Sequence, residues 1–260
     1  MTDKQNIVIA GGGHAGVEAA FAASRLGVSV ILVTMDPSAI GRMSCNPAIG
    51  GLGKGHLVQE IDALGGIMGL ATDSSGIQFK MLNTSKGRAV WSLRAQVDKN
   101  NYPKFIKNII KSCKNIDILQ DEVVDFCVDN LGICLVKLRS GGTIKTRSLI
   151  VCGGTFFNGI IHIGKEAYPA GRCGEKPSVS LPNSIVNKGF ISKKLKTGTP
   201  PRIHYDSVNW GLAVLSEGDP RPAPFSILSK RPFKSKNVPC HIVDTNINVH
   251  SILADHLNES

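Results

Sequence analysis

No two of the seven cysteines form a C-x-x-C pair; they stand at 45, 113, 127, 134, 152, 173 and 240. That spacing excludes the common zinc and dithiol redox motifs. A chain of 260 residues can bury a sizeable core without disulfides, so a reduced, cytoplasmic protein is expected. No apolar run is long enough to span a membrane, and Glu18 and Arg25 interrupt the best candidate. The opening residues, MTDKQNIVIAGGG, carry neither a signal-peptide apolar region nor an Arg-rich transit segment. Internal repeats and low-complexity tracts are missing too. What remains is a globular composition, 42% hydrophobic and 19% charged, enough for one large or two modest domains.

Acidic charge is also scarce. The net charge is +10, and residues 186–240 hold ten Lys/Arg against three acids, or +7 for that stretch. A basic surface of this size favours a polyanion through phosphate contacts and counterion release. An ordinary solvated face is the alternative, and composition alone does not separate the two.

The most specific local pattern is NIVIAGGGHAGVEAAFAASRLGVSVILVT, residues 6–34. Residues 6–10 read as a short buried strand. A G-x-G-x-x-G turn follows at Gly11, Gly13 and Gly16, with Gly12, His14 and Ala15 between them. An Ala-rich helix is expected from about Gly16 to Leu26, stopping at Gly27, and a second buried strand at 28–33. A lone glycine triplet is weak, but between a strand and a helix it marks a dinucleotide-binding turn. The glycines let the backbone approach a pyrophosphate whose charge sits at the helix N-terminus. The acid that holds a ribose hydroxyl belongs at the end of the second strand. Here Thr34 occupies that position, with Asp36 two residues on. A threonine hydroxyl can still bond a ribose, but the change weakens a simple NAD assignment.

Residues 44–56, SCNPAIGGLGKGH, place one thiol in a glycine-rich loop. The run from Gly50 to Gly55 could cradle a phosphate ahead of a helix starting near His56. It is not a P-loop, because Ala48 stands where the first glycine belongs and Gly55 follows Lys54. The next helix is expected to turn Leu57, Ile61 and Leu64 to one face. YPKFIKNIIKSCKNI reads as an amphipathic helix with a basic outer face. DILQDEVVDFCVD, GICLVKLRS and TIKTRSLIVCGGTFFNG read as strands, with LRSGGT as a hairpin turn. Cys127, Cys134 and Cys152 fall on them and are expected to be inert core thiols. His14 and His56 are expected to be backbone-oriented or phosphate-facing, with no acid–base role.

Five blocks in order carry a resemblance: GGGHAGVEAA, MSCNPAIGGLGKGHLVQEIDALGG, GIQFKMLNTSKGRAV, IHIGKEAYPAGRCGEKPS and LKTGTPPRI. Together they resemble the MnmG (GidA) family, FAD-dependent enzymes that modify the wobble uridine of bacterial tRNAs. The resemblance implies an α/β, Rossmann-like FAD/NAD(P)-binding domain of the glutathione-reductase type, with a β-meander and an inserted basic substrate region. It divides the chain into an FAD-binding portion at 1–160 and a loop-rich, NAD-side region at 161–260. It implies FAD as cofactor, NADH as reductant, methylene-folate as one-carbon donor, and tRNA and the GTPase MnmE as partners. It also implies a homodimer and no membrane. Val123 would lie near the adenosine side and Ser178 along the same cofactor.

The resemblance also suggests what Cys45 does. Uracil C5 is a poor nucleophile, and a thiolate added at C6 makes the ring attack through C5. Arg42 and Lys54 are close in sequence, and such surroundings favour a reactive thiolate. A small apolar filler in a turn is the other reading of Cys45. Cys173, in AGRCGEKPS, is a weaker candidate for a second thiol.

The chain departs from the family pattern at Arg88, where a proline is usual. Family members run to over twice this length, so the C-terminal FAD-closing segment and helical domain are expected to be absent. The chain alone is then expected to bind FAD weakly and not to turn over. Three readings follow: a tRNA-modifying flavoenzyme, a non-catalytic remnant or fragment that keeps a nucleotide-binding half, and a general FAD-dependent oxidoreductase.

Overall fold

The computed structural model describes residues 6–130, 132 and 134–259. It opens with β1 (Asn6–Ala10), α1 (His14–Arg25) and β2 (Ser29–Thr34). A second region follows: β3 (Ala48–Gly50), α2 (Gly55–Ala63), α3 (Met68–Ser75), β4 (Gly76–Leu82) and β5 (Ser92–Val97). Then come α4 (Asn101–Ser112), β6 (Ile116–Gln120), β7 (Val123–Val128), β8 (Cys134–Leu138), β9 (Thr143–Thr146) and β10 (Ser148–Val151). The remainder holds β11 (Ile160–Ile163), β12 (Glu166–Pro169), α5 (Ser180–Asn187), β13 (Val214–Ser216), β14 (Cys240–Ile242) and α6 (Ile247–Asp255).

The central layer is a parallel four-stranded sheet in the order β10-β1-β2-β6. Its strands are continuous apolar runs because both faces are covered. Ile9 and Leu32 are fully buried, each worth about 1.5–3 kcal/mol of transfer free energy. α4 covers one side through Tyr102, Ile106 and Ile110 and leaves its lysines outward, as the amphipathic pattern predicts. β7, β8 and β9 form an antiparallel meander, whose LRSGGT turn closes through the Gly141 amide on the Leu138 carbonyl. β3, β5 and β4 form a third, antiparallel sheet beside α2.

Four expectations need correction. α1 begins at His14, two residues early, because Gly13 already takes the N-cap position. The run 117–129 is not one strand: β6 joins the parallel sheet and β7 the meander, with a break at Asp121–Glu122. Leu57 and Leu64 are exposed, while Gly55, Val58 and Asp62 are the buried residues of α2. Asp62 turns inward because its carboxylate accepts the Ile227 amide at 2.9 Å, a partner far away in sequence. Cys127 is exposed on β7 and not a core thiol, whereas Cys134 is buried and Cys152 half-buried.

Candidate nucleotide turn and thiol loop

Close packing builds the glycine turn between β1 and α1. A Cβ on Gly16 would stand 1.8 Å from the Gly11 carbonyl oxygen, and one on Gly11 would stand 2.3 Å from that of Cys152. Both positions therefore demand glycine for the chain to pass at all. Gly13 differs: its φ is −74° and a Cβ there would meet nothing within 4 Å. It is exposed, as is Ala15, so the mouth of the turn is open. No side chain caps α1, and no acid occupies its first turn. Positive helix-end potential and uncapped amides suit a diphosphate there.

The other nominated residues gather at the same ends of β1 and β2. Gly12 is buried, and its carbonyl accepts the Gly41 amide at 3.0 Å. Thr34 is buried at the end of β2, and its hydroxyl would lie 3.1 Å from a Cβ on Gly12. The Thr34 carbonyl accepts the Asp121 amide at 3.1 Å, tying the start of the meander to the turn. Val123 is buried two residues on. Ser178 is buried as well and donates its hydroxyl to Glu122 at 2.8 Å. Glu122 also receives Arg139 at 2.6 Å. Glu122 is thus the residue that joins Val123 to Ser178, a role that no local sequence pattern signals. His14 packs its ring edge against Tyr102 at 5.7 Å, and burial pushes its imidazole below the usual range.

Cys45 lies half-buried on the loop that leaves Gly41. Its Sγ is 3.8 Å from the Gly198 carbonyl and 3.9 Å from the Thr199 hydroxyl. Arg202 donates to the Cys45 carbonyl at 2.7 Å. The block LKTGTPPRI therefore folds back over the thiol loop, a long-range contact that sequence spacing could not reveal. Arg42 is not the thiol's cation. It is clamped between Asp36 at 2.7 Å and Glu175 at 2.6 Å. Ser38, and then Arg42, hold the Asp36 carboxyl below its ordinary range. The same clamp ties the Cys173 loop to the Cys45 loop, because Glu175 lies two residues past Cys173. Cys173 is exposed, and its Sγ lies 4.0 Å from the Tyr168 hydroxyl. The glycine run after Cys45 spends its Gly51 amide on Leu93, and its Lys54 and Gly55 amides on the Gly51 carbonyl. Those amides hold the turn itself and are not free for a phosphate.

The family described as "Glucose inhibited division protein A" matches residues 6–260. The chain belongs to this GidA family. Its fold is accordingly the α/β FAD-binding fold of that family. The tRNA uridine 5-carboxymethylaminomethyl modification enzyme MnmG of Chlorobium phaeobacteroides is 47% identical over 256 residues, 98% of this chain and 41% of the relative. MnmG of Thermodesulfovibrio yellowstonii is 45% identical over 255 residues, with the same coverage of both. The Aquifex aeolicus GidA structure superposes with a TM-score of 0.91 at 42% identity, covering 98% of this chain and 43% of that one. The GidA-related protein of Thermus thermophilus, at a TM-score of 0.51 and 16% identity, shares the fold alone. The chain thus spans 41% of the curated relatives it matches. Among the described residues, no helix is long and apolar enough to cross a membrane, and no His/Cys/Asp/Glu group could hold a metal.

Proposed function

We propose that this chain takes part in FAD-dependent modification of the tRNA wobble uridine at C5, working with the GTPase MnmE. Residues 1–160 form the cofactor portion and 161–260 the basic, substrate- and NAD-side portion. The observation that carries the reading is the tie between the two motifs. The Gly41 amide holds the Gly12 carbonyl, so the thiol loop leaves directly from the nucleotide turn.

Gly11, Gly12, Gly13, His14, Ala15 and Gly16 would receive the FAD pyrophosphate, with Thr34 and Val123 toward the adenosine and Ser178 alongside. The open face at Gly13 and the uncapped start of α1 fit that group. When bound, FAD supplies the redox and one-carbon carrier chemistry, with NADH as reductant and methylene-folate as donor. The Cys45 thiolate adds to uracil C6. The electron pair moved to C5 attacks the one-carbon electrophile. Loss of the C5 proton and expulsion of the thiolate then restore the ring. The Gly198 carbonyl and the Thr199 hydroxyl, 3.8 and 3.9 Å from the Cys45 Sγ, orient the thiol itself, while Arg202 holds the loop through the Cys45 carbonyl.

The test is Cys45→Ser beside the wild-type chain, assayed with MnmE, NADH, methylene-folate and tRNA lacking the modification; the tRNA-modifying reading expects the wild type to turn over, and the remnant reading does not. FAD affinity is expected to stay within about twofold, while mass spectrometry of tRNA nucleosides detects no modified uridine, because the hydroxyl is a far weaker nucleophile at neutral pH. Unchanged modification by the variant would return Cys45 to a packing role. A wild-type chain that forms no modified uridine would refute the activity for this chain.

A further inference from the structure

The outer face of α4 carries chemistry that the proposed reaction does not use. Lys104, Lys107 and Lys111 follow at i, i+3 and i+7, on one side of the helix. At 1.5 Å rise per residue they span about 10.5 Å. The helix contains no acid, so neighbouring lysines repel without relief from their own element. Among the described residues none of the three forms an ion pair. Lys107 is steadied only by the Ser38 carbonyl at 3.2 Å. The nearby carboxylate of Asp36 is already engaged by Arg42.

These lysines rim a groove of about 350 Å³ with an apolar floor that includes Ile40, Ile110 and Ile118. Ile40 and Ile110 are 1% exposed, so the apolar surface open to a ligand is that of half-buried Pro37 and Ile118, seated on a rigid core. A rim of cations above an apolar floor matches one kind of ligand well: a nucleotide unit with a flat base and a charged phosphate. Lysines are point charges that track a backbone without fixing its geometry, unlike the arginine fork that grips one phosphate. Their row suits successive phosphates of a flexible strand, whose sugars and bases can lie against Pro37 and Ile118.

We propose that the α4 groove is a binding surface for a single-stranded segment of RNA, with the three lysines on successive phosphates. The choice of RNA rests on the tRNA reading above; the groove and its charge do not.

The test uses this 260-residue chain and a tRNA transcript, with binding followed by fluorescence anisotropy across a salt series. The variants are the triple Lys104→Glu/Lys107→Glu/Lys111→Glu and the milder triple Lys→Gln set, each checked for an unchanged melting temperature. Losing three phosphate contacts on a single strand lowers the slope of log K against log salt by about 2. Affinity at low salt should fall at least tenfold for the Glu set and less for the Gln set. Ultraviolet crosslinking should place RNA on peptide 104–111 of the wild type. A free mononucleotide and a fully duplex RNA are the comparison arms, and both should bind more weakly than the transcript. Equal affinity and slope in wild type and both variants would overturn the proposal while leaving the tRNA reading intact, because that reading is scored separately by nucleoside analysis. Preference for the free mononucleotide would also overturn it, in favour of a small-ligand site.

Discussion

Substituting two glycines of one turn should have opposite consequences. A Cβ on Gly16 would lie 1.8 Å from the Gly11 oxygen, where real contacts hardly ever fall below 3.0 Å. The helix start must therefore retreat by more than 1 Å from a backbone atom that has nowhere to go. Forced overpacking of this kind costs about 1–3 kcal/mol. For a domain of this size that is roughly 2–12 °C in Tm. Gly13 has φ −74° and ψ −171°, an extended conformation that any residue adopts, and open space beyond its Cα. Gly13→Val should therefore melt within about 2–4 °C of wild type, since only a minor capping preference is lost. Its isopropyl group nevertheless stands at the mouth of the turn, where a pyrophosphate must approach. Thermal melts followed by circular dichroism and FAD titration by flavin fluorescence separate the two effects. The expected pattern is a destabilised Gly16→Ala and a stable Gly13→Val whose FAD affinity drops at least tenfold. A Gly13→Val chain that binds FAD like wild type would refute the placement of the diphosphate. A Gly16→Ala chain with unchanged Tm would refute the close approach itself.

Arg202→Ala should lower uridine modification severalfold with FAD affinity unchanged, because it frees the Cys45 carbonyl; Arg202→Lys should recover part of the loss, and equal activity in all three would remove Arg202 from positioning. Asp125 accepts Ser184, Lys188 and Lys137, which hold its carboxyl well below the usual range. A depressed folded pKa gives stability that is complete above about pH 4 and lost as pH falls. Asp125→Asn should therefore melt lower at pH 7, with a gap that starts to narrow below about pH 4 and is smaller, though still open, at pH 2–3; a constant gap across that range would contradict the linkage. Tyr102 is fully buried with no hydrogen-bond partner for its hydroxyl among the described residues, and burial, then Glu18, pushes its pKa up. Tyr102→Phe should leave Tm unchanged or raise it by about 2–4 °C, since an unsatisfied buried group costs about 1 kcal/mol or more; a clear fall would mean the hydroxyl is paired.

What the sequence discloses depends on how local the cause is. β1, the glycine turn, α1 and β2 are written in adjacent residues: apolar runs, three spaced glycines and a glycine stop. Their placement follows almost to the residue, with only the helix start misjudged, because Gly13 caps without a side chain. The LRSGGT hairpin is legible for the same reason. The strands from 117 to 151 are legible as strands but not as members of two different sheets. That division is decided by non-local backbone bonds, such as the Asp121 amide on the Thr34 carbonyl.

The thiol loop shows where local reading fails. Proximity in sequence made Arg42 the natural cation for Cys45, three residues away. In the fold Arg42 is captured by Glu175, 133 residues distant, and Arg202 reaches the loop from 157 residues away. Charge pairs choose partners by the geometry of the finished fold, where a bonded carboxylate offers far more than a neighbouring thiol. The same rule explains α2. A helical wheel ranks Leu57 and Leu64 as the inner face, yet Asp62 is buried, where its carboxylate accepts the Ile227 amide from a distant segment. Apolar periodicity predicts which face prefers to be dry; it carries no information about a polar group that a distant backbone amide requires. Residue types at the site were therefore readable, while their pairings were not, and the pairings are what determine whether Cys45 stands as a nucleophile or a filler.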